Sequence, residues 1–101
     1  MPVLHLINQS PWQSGSLSRC VTSAANGDGI LFIENGVYAA LPDALDEHEA
    51  LALAAYTCFV LEPHLEERAL QARALRPGFS VVDFDGFVDL VERFDVVVSW
   101  G

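Results

Sequence analysis

The chain has 101 residues, and its 14 acidic residues outnumber five basic ones to give a formal net charge of −9. The five cations are all arginines, and so acidic a surface repels phosphate backbones, which argues against direct nucleic-acid binding. The length fits a single domain over residues 1–101, and a hydrophobic content of 51% is high for so short a chain, which indicates that some apolar surface faces a partner.

The N-terminal quarter predicts a strand, a loop and a helix. Residues 3–7 are the strand, and residues 8–15, with two breakers, form the loop. A helix follows, capped by Ser14 or Ser16, and it ends at residues 26–29. One helical face is apolar and comprises Leu17, Cys20, Val21 and Ala24.

The middle of the chain repeats this alternation. Residues 29–34 form a nearly continuous apolar run that predicts a buried parallel strand, and Asn35 with Gly36 turns the chain. A short helical turn over residues 36–41 is interrupted by Pro42, and residues 43–53 predict a helix.

The C-terminal half completes the pattern. The predicted elements are a strand at 56–62, a helix at 64–74 after Pro63, a stop at 76–78, a strand at 80–84, a helix at 85–94 and a strand at 95–100. Five strands alternating with helices predict an α/β fold with a parallel sheet covered on both faces.

The apolar runs are too short to cross a membrane. The longest, such as residues 30–33 and 96–98, fall far below the roughly 20 residues that a span needs. The N-terminus lacks the charged and apolar stretches of a signal peptide, so we expect a cytoplasmic protein with reduced cysteines.

Neither phosphate-binding glycine motif is present in the sequence, and no short spacing of histidines and cysteines predicts a metal site. His5, His48 and His64 are scattered, and His48 fits a solvated helix face. Asn35 and Gly36 lie at the carboxyl end of a predicted strand, where parallel sheets build sites. A tight turn requiring positive φ is the simpler interpretation.

The two cysteines have different sequence contexts. Cys58 lies within an apolar strand and predicts core packing. Cys20 lies about one turn into the first helix beside Arg19, where the helix end and the cation favour a thiolate. It also shares the apolar helix face, so a core role and a reactive role both stay open.

Trp12 and Trp100 lie at the edges of the predicted domain. Aromatic residues in such places either cover the core or anchor an interface. Both interpretations stay open for each tryptophan.

Several segments together resemble one family. The segments LHLINQSPW (4–12), LFIENGVYAAL (31–41) and PGFSVVDFDGFVDLV (77–91), with the penultimate Trp100, resemble the DsrH/TusB family of small sulfur-relay proteins. The resemblance runs in the same order along essentially the whole chain, and residues 42–55 match least.

The resemblance implies a DsrEFH-like fold, a three-layer α/β/α domain with a five-stranded parallel sheet. It implies a cytoplasmic heterohexamer with DsrE/TusD-like and DsrF/TusC-like subunits, served by a small sulfur carrier of the TusE/DsrC type. No metal or organic cofactor, membrane or direct nucleic-acid contact is expected. The family's persulfide cysteine belongs to the DsrE/TusD-type partner, and residues 62–78 of this chain contain no cysteine at the corresponding place.

Cys20 bears on the pathway within this family. DsrH-type chains of sulfur oxidisers carry a cysteine in a first-helix context like SLSRC, whereas TusB-type chains that serve tRNA wobble-uridine 2-thiolation often lack it. The resemblance therefore implies dissimilatory sulfur oxidation, with Cys20 a candidate sulfur-exchange thiol that attacks or accepts persulfide sulfur. One alternative is a TusB-like, purely structural subunit of the TusBCD sulfur relay for tRNA wobble-uridine 2-thiolation. Another is a stand-alone enzyme or ligand-binding protein that uses Asn35 and Gly36.

Overall fold

A computed structural model of the chain describes residues 2–101 as a five-stranded, wholly parallel sheet with the order β4-β3-β2-β1-β5. The strands are β1 (Val3–Ile7), β2 (Gly29–Phe32), β3 (Thr57–Leu61), β4 (Phe79–Val82) and β5 (Val96–Trp100). The predicted α/β fold with a five-stranded parallel sheet is confirmed, and each strand lies within about two residues of its predicted bounds.

The helices divide unequally between the two faces of the sheet. They are α1 (Ser16–Ser23), a 3₁₀ segment (Glu34–Ala40), α2 (Glu47–Leu53), α3 (Glu62–Glu67) and α4 (Phe84–Arg93). The larger core cluster contains side chains from every helical element except α4. In the smaller cluster, α4 is the helix that packs on the sheet, through Leu90 and its neighbours. The result is three layers, with four helical elements on one face and one on the other.

The order of the strands explains this division. The first three crossovers each move to the adjacent strand in one direction, so right-handed connections place their helices on one face. The last crossover carries the chain from β4 at one edge to β5 at the other, beyond β1. Its helix, α4, therefore crosses the opposite face.

The helix predicted for residues 43–53 begins later, at Glu47. Asp46 is the N-cap, and its side chain accepts a hydrogen bond from the backbone N–H of Glu49, whose side chain bonds back to the N–H of Asp46. This capping box fixes the helix start four residues into the predicted range. The prediction overlooked the local D-x-x-E signal.

The helix predicted for residues 64–74 begins at Glu62 and ends at Glu67. The N–H of Leu70 bonds to the carbonyl of Leu65 and the N–H of Ala69 to that of Glu66, the two hydrogen bonds of a Schellman motif. Ala69 has a φ of +56°, and buried Leu65 and Leu70 make the accompanying apolar contact. Burial of Leu70 thus ends a helix that composition alone would continue.

The N-cap of α1 is neither of the two predicted serines, Ser14 and Ser16. Gly15 is the N-cap residue and makes no side-chain cap bond, while the hydroxyl of Ser14 accepts the N–H of Ser16. Ser16 itself is buried as the first helical residue.

Replacing Ala69 with glycine is expected to stabilise the fold. A left-handed conformation costs a non-glycine residue about 1–2 kcal/mol, and the extra freedom of glycine in the unfolded chain offsets about 0.4–1 kcal/mol of the relief. The free energy of unfolding of Ala69→Gly should rise by about 0.5–1 kcal/mol, measured by urea denaturation. Ala72→Gly, whose φ is not positive, is the matched control and should lower it; a loss in both variants would contradict the strain.

Candidate functional site

Cys20 lies in the core, on the face of α1 that packs against the sheet. Its exposed fraction is 0%, and it belongs to the larger core cluster together with Cys58. Burial raises the pKa of the Cys20 thiol to about 12, and the charge of Asp28 acts in the same direction. Because the thiolate is the nucleophile, the folded chain holds Cys20 in its unreactive form.

Neither the nearby helix end nor the Arg19 cation offsets the burial of Cys20. Arg19 is exposed, and its guanidinium Nη2 lies 3.4 Å from the hydroxyl of Ser16 rather than beside the thiol. Consecutive residues point about 100° apart around a helix, so the apolar face buries Cys20 and leaves Arg19 in solvent. The sulfur-exchange role of Cys20 stays a prediction, and it would require α1 to separate from the sheet.

A buried carboxylate lies beneath α1. Asp28, just before β2, accepts hydrogen bonds from the N–H of Val3 at 2.9 Å, from the N–H of Ala25 at 3.0 Å and from His5 Nε2 at 2.9 Å. Burial opposes its charge, but the bonds from Ala25, His5 and Val3 prevail, and the pKa of Asp28 is lowered. A negative charge is thus held at Asp28, five residues after Ser23, where α1 ends.

Trp100 extends this network to the end of β5. Its indole Nε1–H donates to His5 Nδ1 at 3.1 Å. Because an indole nitrogen can only donate, the proton of His5 is assigned to Nε2, which donates to Asp28. Trp100 is half-buried in this arrangement and covers the core, whereas Trp12 is 65% exposed and contacts Tyr38 with a centroid distance of 5.7 Å. Trp12 thus keeps more of the exposed surface that an interface anchor needs than Trp100 does.

Cys58 is buried at the start of β3, and the predicted core role is confirmed. Its Sγ lies 3.8 Å from the carbonyl oxygen of Leu53, and burial raises the pKa of its thiol to about 12. A cavity of about 450 Å³ opens beside it at the amino ends of β3 and β4, lined mainly by apolar side chains with Arg76 among them. This cavity lies at the edge of the sheet opposite to the one where parallel sheets usually bind ligands.

Gly36 is required by close packing rather than by a left-handed turn. Its φ is not positive, and the residue that adopts the left-handed region is Glu34, with a φ of +49°. A Cβ on Gly36 would lie 2.0 Å from the carbonyl oxygen of Ile7. The expectation of positive φ at Gly36 is therefore wrong, and its physical reason is that the 3₁₀ segment lies against the end of β1.

A polar cluster at the carboxyl edge of the sheet joins the 3₁₀ segment to α3. Arg68 Nε donates to Asn35 Oδ1 at 3.0 Å, and Arg68 Nη1 donates to the carbonyl of His64 at 3.1 Å. His64 Nδ1 accepts the N–H of the strained Glu34 at 2.7 Å. Sequence analysis missed this cluster because its members are about 30 positions apart and follow different strands.

These contacts give the cluster a structural role. The guanidinium of Arg68 is bound on two sides, and the His64 ring also contacts Phe84, the first residue of α4, edge-on. The polar groups hold three connections together after β2, β3 and β4. The third alternative of the sequence analysis, a ligand site built on Asn35 and Gly36, would have to displace these contacts.

Metal ligands and membrane helices were sought in residues 2–101. No group of three histidine, cysteine or acidic side chains in this part of the chain could hold a metal ion. None of the helices that these residues form has the length and apolar character needed to cross a membrane.

Comparisons with known proteins agree with the fold and cover the chain. A family profile described as "DsrH like protein" matches residues 9–97. Proteins called TusB from Erwinia tasmaniensis and Cronobacter sakazakii are 35% and 34% identical, each match covering 97% of this chain and 100% of the relative. A TusB from Pectobacterium parmentieri is 28% identical with the same coverage.

A solved structure extends the comparison to the fold. The ychN protein from E. coli superposes with a TM-score of 0.81 over 99% of both chains, at 13% sequence identity. At this identity the match supports the three-layer architecture and carries no information on activity.

Both thiols should be inert in the folded chain. With the pKa of each near 12, reaction with a disulfide reagent at about pH 8 should be at least about a hundredfold slower than in the same chain unfolded by guanidinium. Cys20→Ala and Cys58→Ala variants assign each thiol. A rapid phase that consumes one thiol per folded chain and disappears in Cys20→Ala would contradict the burial of Cys20.

Asp28→Asn should destabilise the fold by about 2–3 kcal/mol near neutral pH, because the amide leaves a buried N–H donor unpaired. A lowered carboxyl pKa stabilises the fold above the unfolded value of 3.8, and this contribution disappears as the pH falls through the folded pKa. The difference between the two proteins should therefore shrink below about pH 4 in denaturation experiments. The control is Asp43→Asn at an exposed position, which should change stability by less than about 0.5 kcal/mol at any pH. If the loss of stability in Asp28→Asn did not depend on pH, this would contradict a charged Asp28.

Proposed function

The chain belongs to the DsrH/TusB family, and from this membership we propose that it is a subunit of a cytoplasmic sulfur-relay complex. The observation that carries the proposal is the similarity to TusB proteins over 97% of this chain and the whole of each relative. Its partners in the proposal are DsrE/TusD-like and DsrF/TusC-like subunits in a heterohexamer, which passes sulfur to a small carrier of the TusE/DsrC type.

Within this complex we propose a supporting role for the chain. The resemblance assigns the carrier cysteine to the DsrE/TusD-type subunit, and burial of both thiols here supports a subunit that orients its partner's site. The acidic surface supports the same division of tasks, because a net charge of −9 repels a tRNA acceptor.

Two pathways are candidates for the complex. The relatives named TusB favour tRNA wobble-uridine 2-thiolation. The presence of Cys20 favours the DsrH-type pathway, dissimilatory sulfur oxidation, in which Cys20 would exchange persulfide sulfur. Genes for dissimilatory sulfite reductase beside this gene would support oxidation, and their absence beside TusC-like and TusD-like genes would support thiolation.

Sulfur labelling separates a supporting subunit from a carrier. The co-purified complex of this chain with its TusC-like and TusD-like partners would be incubated with a persulfide donor, and added sulfur would be located by peptide mass mapping. We expect the label on the partner's cysteine and none on Cys20, with transfer to the small carrier within about twofold of wild type in Cys20→Ala.

The matched control is Cys58→Ala, which removes the other buried thiol without touching the predicted exchange residue. Label on Cys20, together with loss of transfer in Cys20→Ala but not in Cys58→Ala, would instead support the exchange role. A chain that purifies alone and forms no complex with the two partners would contradict the proposed function.

A further inference from the structure

Helix α4 carries an apolar stripe that the fold leaves in solvent. Phe84, Val88 and Val91 are 56%, 52% and 38% exposed. They follow the spacing i, i+4, i+7 and so lie on one side of the helix. We refer to these three residues as the α4 stripe.

The α4 stripe is separate from the face with which α4 packs on the sheet. That face comprises Phe87, Leu90 and Phe94, which join the smaller core cluster. A surface helix normally carries one apolar stripe directed at its own core. A second, exposed stripe at anchor spacing is typical of a helix that binds a groove on another protein.

The sheet adds apolar surface on the same side of the molecule. Val97 of β5 pairs in register with Leu4, which belongs to the α4-side cluster, and its side chain is 39% exposed. One helix covers this face, compared with four helical elements on the other. Half of the eight large apolar residues that are exposed therefore lie on the layer with a single helix, and three of these four form the α4 stripe.

Acidic side chains border the α4 stripe. Asp85, Asp89 and Glu92 lie on the adjoining exposed side of α4, with Arg93 as the cation there. Two copies meeting through this helix would bring six acids together with two arginines by symmetry, and like charges oppose such a contact. A partner surface that is apolar at its centre and positively charged at its border would match both the α4 stripe and the acidic side chains beside it.

We propose that the α4 stripe docks into an apolar groove bordered by arginine or lysine on a different subunit of the relay complex. The inference rests on the proposed function for the existence of such a subunit. The apolar side chains supply the buried area, and the acidic border sets the orientation and excludes a second copy of this chain.

The test uses the chain co-expressed with its TusC-like and TusD-like partners, and measures assembly by native mass spectrometry and the dissociation constant by titration. Val88→Asp should weaken association at least about tenfold, because it places a charge in a buried apolar contact. Asp89→Lys leaves the apolar stripe intact and should weaken association by about fivefold, with the salt dependence of binding reduced.

The matched control is Leu51→Asp on α2, which replaces an exposed apolar residue, 68% exposed, on the opposite layer. Its affinity should stay within about twofold of wild type. Thermal unfolding of each variant alone confirms that it folds, as expected for substitutions at exposed positions.

The outcomes separate this inference from the proposed function. A wild-type complex that Val88→Asp and Asp89→Lys leave unchanged would overturn the docking surface while keeping the relay subunit. Loss of a homodimer of this chain in Val88→Asp would also overturn it, because the occupant would then be a second copy. A wild-type chain that binds neither partner would contradict the proposed function itself.

Discussion

The buried Asp28 carboxylate connects the start of β1, the segment after α1 and, through His5, the end of β5. It binds the start of β1 through the N–H of Val3 and the segment after α1 through the N–H of Ala25. Through His5 it reaches Trp100, which is 95 positions away from His5 in the sequence. Strand β5 lies beside β1 only after a crossover of the whole sheet, and the Trp100–His5 hydrogen bond adds a side-chain connection to the backbone pairing of the two strands.

The same network sets the chemistry of the nearest thiol. A carboxylate held as an anion beneath α1 disfavours a second negative charge, so Asp28 adds to burial in raising the pKa of Cys20. Stability and reactivity are therefore opposed at this place. A chain that needed Cys20 as a thiolate would have to weaken the packing of α1 or neutralise Asp28, and the folded state does neither.

The predictable part of this fold is the part that apolar periodicity encodes. Continuous apolar runs located the buried strands, and the face shared by Leu17 and Cys20 indicated burial more reliably than the helix end beside Arg19 indicated a thiolate, because desolvation outweighs a partial charge. The ends of two helices were harder to predict, because local hydrogen bonds decide them. The capping box at Asp46 shortened α2, and the left-handed Ala69 shortened α3. The cluster of Asn35, His64 and Arg68 could not be predicted, because only the parallel pairing of β2 with β3 brings its members to one edge.

The unequal covering of the sheet connects the fold to the assembly. Sheet order dictates that one crossover helix serves an entire face, and a helix about 10 Å wide cannot cover five strands spaced at roughly 4.8 Å. Apolar residues on that face must then meet either solvent or another protein, and a short chain cannot supply more helices of its own. Part of the hydrophobic content of 51% lies exposed on this layer, at Phe84, Val88, Val91 and Val97, and the acidic border of α4 restricts which protein can complete the layer. The interior of the chain thus supplies stability, and the surface of its thinner layer supplies specificity.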